Sequence, residues 1–113
     1  MNGIATRRAE ALALHRQGRF GEAERVYRSI LASAGDDGET WHYLAVLCGQ
    51  TDRHAEALEC CERALACAYR SAAVYANLAN ALATLGRAKD SAAALAGCDA
   101  VHGLIVRAGV YGR

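Results

Sequence analysis

Residues 41–65, WHYLAVLCGQTDRHAEALECCERAL, read as two amphipathic helices joined by a tight turn at Thr51-Asp52-Arg53. Trp41, Leu44, Ala45, Leu47 and Cys48 fall on one stripe of the first helix. Ala57, Cys61, Ala64 and Leu65 fall on one stripe of the second. Apolar residues at these spacings put one face of each helix against the other, because a helix repeats every 3.6 residues.

The same pattern lies on both sides of this stretch. Upstream, Thr6 is placed to cap a helix carrying Ala9, Ala11, Leu12 and Leu14, which Gly18 ends. A second helix is expected from about Gly21 to Ser33, with Ala23, Tyr27, Ile30 and Leu31 on one face. Gly35-Asp36-Asp37-Gly38 is a loop whose acidic pair suits the start of the next helix. Downstream, Ser71 caps a helix carrying Tyr75, Leu78, Ala79 and Leu82; Gly86 ends it, and another helix is expected from about Lys89 to Val101. The copies are in register. Gly18, Asp52 and Gly86 are 34 residues apart, as are Ala11, Ala45 and Ala79, and Arg19, Arg53 and Arg87.

A 34-residue helix–turn–helix unit is the period of tetratricopeptide repeats, and the residue types also resemble that family. Trp41, Leu44 and Ala45 match its first helix, as do Tyr75, Leu78 and Ala79. Gly18 and Phe20 match its turn; Ala23, Tyr27, Ile30 and Leu31, and again Ala57, Ala64 and Leu65, match its second helix. The small residues sit where the two helix axes cross closely. The resemblance spans about residues 5–103 and implies an all-α, right-handed superhelical array. Three antiparallel repeats, at about 4–37, 38–71 and 72–105, form one domain over 1–113, and residues 104–113 add a short C-terminal capping segment. Departures from the pattern are Arg7 and Glu10 in the first unit, Asp52 for the turn glycine, and Gly35, Tyr69 and Gly103 where proline usually stands. In the third unit Leu95 replaces an aromatic and Asp99 a leucine.

Composition narrows the function. The net charge is +1, without the basic excess of nucleic-acid-binding domains, although Arg7, Arg8, Arg16 and Arg19 make the N-terminal end locally positive. No run of apolar residues is long enough for a membrane span or a signal peptide, and the five cysteines show no disulfide framework. A reducing, cytoplasmic setting is the expectation. Cys48 and Cys61 fall at packing positions, whereas Cys60 and Cys67 are expected on a more exposed face. No phosphate loop, nucleophile elbow, zinc-protease motif or dinucleotide fingerprint is present, so no catalytic residue, metal site or cofactor is expected. His54 reads as a packing or surface residue.

In arrays of this family the first helices of the repeats line a concave groove. Carried onto this chain, the resemblance places Arg8, Leu12, His15 and Arg16 there from the first unit, Glu39, His42, Tyr43 and Val46 from the second, and Asn77, Asn80 and Thr84 from the third. Such a face suits an extended or helical peptide. It implies a protein or peptide partner, with no role for nucleic acid or membrane. Arg8, Arg16 and His42 would meet acidic or carbonyl groups, and Asn77 and Asn80 the partner's backbone. Two family sub-patterns can be compared. The clamp that grips a chaperone's C-terminal carboxylate is absent: Arg8 fits, but Leu12, Tyr43, Ala73 and Asn77 do not. Asn77 and Asn80 resemble one rung of the asparagine ladder of sugar-transferase arrays, which Ala9 and Tyr43 interrupt. Alternatives to a free-standing scaffold are an N-terminal docking module of a larger bacterial transferase, a homodimer closed by the apolar tail GLIVRAGVYGR, and a small secretion chaperone.

Overall fold

Three helical hairpins stack side by side in the computed structural model, which describes residues 3–107, with side chains through residue 97. The first hairpin is α1 (Gly3–Arg16) and α2 (Phe20–Ser33); the second is α3 (Gly38–Gln50) and α4 (His54–Ala66); the third is α5 (Ala72–Thr84) and α6 (Ala88–Arg107). Besides packing within hairpins, α2 lies against α3 and α4 against α5, and the first helices α1, α3 and α5 form a continuous inner layer. The all-α repeat array therefore stands, with no strand among the described residues. No helix among them is long and apolar enough to cross a membrane.

The turns explain the register. Gly18, Asp52 and Gly86 have φ of 78°, 61° and 80°, the left-handed conformation that glycine takes freely and aspartate tolerates. Each lets the next residue's N–H turn back to the helix: Arg19 donates to Leu14 O at 2.9 Å, Arg53 to Cys48 O at 2.8 Å and Arg87 to Leu82 O at 2.8 Å. This six-to-one bond satisfies a carbonyl that the helix end would otherwise orphan. A fourth copy closes α4, where Tyr69 N–H donates to Ala64 O at 3.0 Å and Ala68 has a φ of 63°. An alanine in that role carries no sequence signal.

Three local expectations are corrected. Helix α1 begins at Gly3 and not at a Thr6 cap, because nothing between them opposes helix. The acidic pair does stand directly before α3, where the carboxylate of Asp37 is drawn to Arg8 and Thr40 and not to a backbone N–H. Helix α6 runs through Gly103 to Arg107, since a glycine costs a helix about 1 kcal/mol whereas proline would break it. Residues 104–107 are thus the end of α6; residues 108–113, and every side chain of the tail, lie outside what is described. Cys60 is not exposed but 4 % accessible in the core, where its hydrogen bond with Cys48 and its burial push its thiol pKa up. Burial pushes Cys61 up to about 12, so these thiols pack as hydrophobes. Cys67 is half-buried, its thiol 3.9 Å from Gly35 O, and the Cys98 side chain lies outside the described residues.

One core cluster, with Tyr27, Leu44, Leu47, Cys48, Cys61 and Val74 fully buried, runs through the first two hairpins into α5. Ala79, Leu82 and Ala94 form a smaller cluster in the third. Ser71 caps α5, its Oγ accepting from Val74 N–H at 3.2 Å. Trp41 sits at the edge, donating Nε1–H to Gly35 O at 2.8 Å beneath the Arg63 guanidinium. Gly38 is where the second hairpin closes: a Cβ there would lie 2.5 Å from Tyr69 Cβ.

On the outer side, between α2 and α4, four charges interlock. Arg53 forks onto Glu24 at 2.6 and 2.9 Å, and Arg28 bridges Glu24 at 2.8 Å and Glu56 at 3.1 Å. The Arg53 and Arg28 hydrogen bonds hold the Glu24 carboxyl down at about 2.

Candidate functional site: the concave face

Helical spacing turns the same side of α1, α3 and α5 toward the concave face, and three neighbouring hollows open there. The first, of about 160 Å³, is lined by Ala5, Arg8, Ala9, Leu12, Glu39 and Tyr43. The second, of about 430 Å³, lies between α1 and α3 and includes Leu12, His15, Arg16, Phe20, His42, Tyr43, Val46 and Gln50. The third, of about 220 Å³, lies between α3 and α5 and includes Val46, Gly49, Gln50, His54, Asn77, Asn80 and Thr84. Shared walls at Leu12, Tyr43, Val46 and Gln50 make the three one trough. All eleven residues assigned to the groove from the sequence line it.

They differ in what they have left to offer. Arg8 is engaged within the chain: its Nη2–H donates to Asp37 Oδ1 and Oδ2 at 3.0 Å each, and its Nε–H to Thr40 at 3.4 Å. Glu39 lies 3.5 Å from Arg8 and accepts the Tyr43 hydroxyl at 3.0 Å. His15 is buried and doubly bonded: Nε2–H donates to Gln50 Oε1 at 2.5 Å, and Nδ1 accepts the Tyr27 hydroxyl at 3.0 Å. That assignment follows from Oε1 being only an acceptor. Burial pushes the Tyr27 hydroxyl up to about 12, so it keeps its proton. The Thr84 hydroxyl is turned back to Asn80 O at 2.8 Å.

Among the described residues, the side chains of Arg16, Asn77 and Asn80 form no hydrogen bond or ion pair with the rest of the chain. Leu12 and Val46 give apolar wall. His42 is a special case: it is only 9 % accessible, packed against the Tyr43 and Tyr69 rings at 5.4 and 5.8 Å. Its Nδ1 is the only buried side-chain nitrogen or oxygen without a partner among the described residues. Burial lowers its pKa, which Glu39 only partly offsets, so the ring is neutral near pH 7.

Gln50, which the repeat register also assigns to the groove, lines the trough, standing 34 residues after Arg16 and 34 before Thr84. Phe20 and His54 line it as well and were not expected there. Phe20 and His54 begin α2 and α4, and only the packing of the hairpins brings them to the inner face.

Comparison with known proteins agrees with this architecture. Two family models, each described as tetratricopeptide repeat, match residues 4–47 and 38–63, together more than half of the chain. No curated protein matches it by sequence. Among solved structures, the chain is similar to the second tetratricopeptide-repeat domain of Spaghetti (RPAP3) bound to the HSP90 peptide SRMEEVD, with a TM-score of 0.83 at 14 % identity, covering 87 % of this chain and 91 % of that one. It is similar to the type III secretion translocator chaperone SycD of Yersinia enterocolitica, in an alternative dimer, with a TM-score of 0.81 at 12 % identity, covering 87 % and 74 %. It is also similar to MamA MSR-1 C2, with a TM-score of 0.78 at 13 % identity, covering 88 % and 57 %. At such identities the likeness is one of fold.

Proposed function

We propose that this protein, which belongs to the tetratricopeptide-repeat family, is a non-catalytic interaction scaffold that takes a peptide segment of another protein along its concave trough. The observation that carries the reading is the pair Asn77 and Asn80. Both face the trough from one helix, and their side-chain amides make no hydrogen bond within the described chain. An amide offers both a donor and an acceptor, which matches the alternating carbonyls and N–H groups of an extended backbone. Leu12, Phe20 and Val46 add apolar wall in the neighbouring hollow.

The peptide would not be gripped as a C-terminal carboxylate. That grip needs several free cations, and Arg8 is held by Asp37 while Leu12, Tyr43 and Ala73 stand at the other positions. Affinity of such a short array is expected on the order of μM. The test is capture of partners from the native cytoplasm by the full chain, beside a variant with Asn77→Ala and Asn80→Ala. The variant should keep its helical spectrum and its unfolding midpoint, and lose the captured partner. Equal retention by both chains counts against the trough.

A further inference from the structure

We propose that the hollow between α1 and α3 is the specificity pocket of the trough, and that it takes a bulky apolar side chain whose main-chain carbonyl is bonded by His42 and whose neighbour in sequence is a carboxylate bound by Arg16. This rests on the reading of the trough as a peptide site and adds the chemistry of the segment it selects.

Three observations converge. The hollow is the largest of the three described, about 430 Å³, and Leu12, Phe20 and Val46 wall it. A large aliphatic or aromatic side chain gains most from leaving water for such walls. Second, the charge that remains there is positive. Arg8 is already neutralised by Asp37 and Glu39, so the cation left at this pocket is Arg16, exposed at its rim and unpaired among the described residues. An acidic neighbour is therefore favoured and a basic one disfavoured.

Third, His42 forms part of the pocket wall and carries an unspent hydrogen bond. Its Nδ1 is enclosed without a partner, whereas Nε2, also unbonded, is not enclosed. Orphaned buried N–H groups are rare, so the proton belongs on Nε2, where water or a ligand can satisfy it. A neutral Nε2–H is a donor with no acceptor in the chain. A peptide carbonyl is the acceptor that any partner brings, and the rings of Tyr43 and Tyr69 hold the imidazole in place to meet it. His15, the other histidine of the pocket, cannot do this, because Tyr27 and Gln50 already take both of its nitrogens.

The test uses labelled synthetic peptides and fluorescence anisotropy on the full chain. Three peptides share a Gly/Ser frame around one central Phe, followed by two Asp, two Ser or two Lys; a fourth replaces Phe by Ser but keeps the two Asp. The Phe-Asp-Asp peptide should bind best, about tenfold tighter than Phe-Lys-Lys, and the peptide without Phe should lose about tenfold. Arg16→Glu, at an exposed position, should reverse the order of the Asp and Lys peptides. His42→Phe should weaken the Phe-Asp-Asp peptide about tenfold, and His42→Gln, whose amide keeps an N–H near Nε2, should restore most of that. If the Phe peptides bind but Arg16→Glu leaves their order unchanged, the assigned selectivity is wrong. If the Asn77/Asn80 double variant still captures its native partner, the trough itself fails, which is a separate result.

Discussion

The two junctions between hairpins are built on different physics. The first is tied by polar and aromatic groups. Arg53 and Arg28 cross it to Glu24 and Glu56 on the outer side, His15 crosses to Gln50, Arg8 crosses to Asp37, and the Tyr27 ring stacks on Tyr43 at 6.2 Å. The second relies on burial of small apolar groups, Val74 and Ala81 against Leu58 and their neighbours, and no ion pair among the described residues crosses it. Beyond it, Leu85 and Leu95 are 41 % and 49 % accessible. Directional ties fix the geometry of the first junction, and its trough residues are largely spent in doing so. The second junction leaves its amides unspent. Unspent amides thus lie at the second junction, while the first, which rigidifies the array, leaves over only the Arg16 guanidinium and the His42 ring.

The largest effect that could break this contrast comes from the centre of the first junction. Tyr27 is fully buried, donates to His15 and stacks on Tyr43. Tyr27→Ala removes a large aromatic and strands His15, and should cost about 3–5 kcal/mol in urea unfolding. A loss below about 1 kcal/mol would mean that the junction is not anchored there. Gly38→Ala should cost about 1–3 kcal/mol, because its Cβ would lie 2.5 Å from Tyr69 Cβ and neither backbone can yield cheaply.

The outer ion pairs make a prediction in pH. Glu24 is held at about 2 in the folded chain against its ordinary 4.5, so the folded state resists protonation there. Its contribution is complete above pH 4.5 and is lost as pH falls from there toward 2. Because the group keeps some solvent contact, with 19 % of its side chain accessible, the loss should be on the order of 1–2 kcal/mol and not the full value of the shift. Unfolding midpoints measured from pH 6 to pH 2.5 should fall more steeply for the native chain than for Glu24→Gln. Parallel curves would show that the pairs hold the first junction no better than solvent does. Across the second junction, Asn77→Ala with Asn80→Ala should change stability by less than about 0.5 kcal/mol, since neither amide bonds to the chain.

The same division governs what could be read from the sequence. The register was legible because it is written in local chemistry: glycine or aspartate at a left-handed turn, and small residues at helix crossings. Because the register fixes which way each helix side chain points, all eleven groove residues could be placed on one face. Their chemical state was not legible. Arg8 reads as a free cation until Asp37, 29 residues away, is seen to hold it. His15 reads as a twin of His42 until Tyr27 and Gln50 are seen to bond both its nitrogens. Pairings over such distances depend on how hairpins dock, and no local pattern encodes them. Cys60 failed for a related reason: it lies beside the expected stripe, and Cys48 from the neighbouring helix covers it.

Another small effect tests the register itself. Ala68 closes α4 with the same six-to-one bond that Gly18, Asp52 and Gly86 allow in the other turns, and with a φ of 63°. An L-residue with a Cβ pays roughly 1 kcal/mol for that conformation, which glycine does not. Part of that gain is returned, because glycine also makes the unfolded chain more flexible. Ala68→Gly should therefore stabilise the chain by about 0.5 kcal/mol, and Gly86→Ala, the reverse exchange at an equivalent bond, should destabilise it by about 1 kcal/mol. Opposite signs at the two sites would mean that the turn conformation, and not the residue written there, carries the repeat past the joint between the second and third hairpins. If Ala68→Gly lost stability instead, the loop from α4 to α5 would have to be held by contacts of the alanine methyl, and the weaker second junction would owe its geometry to packing alone.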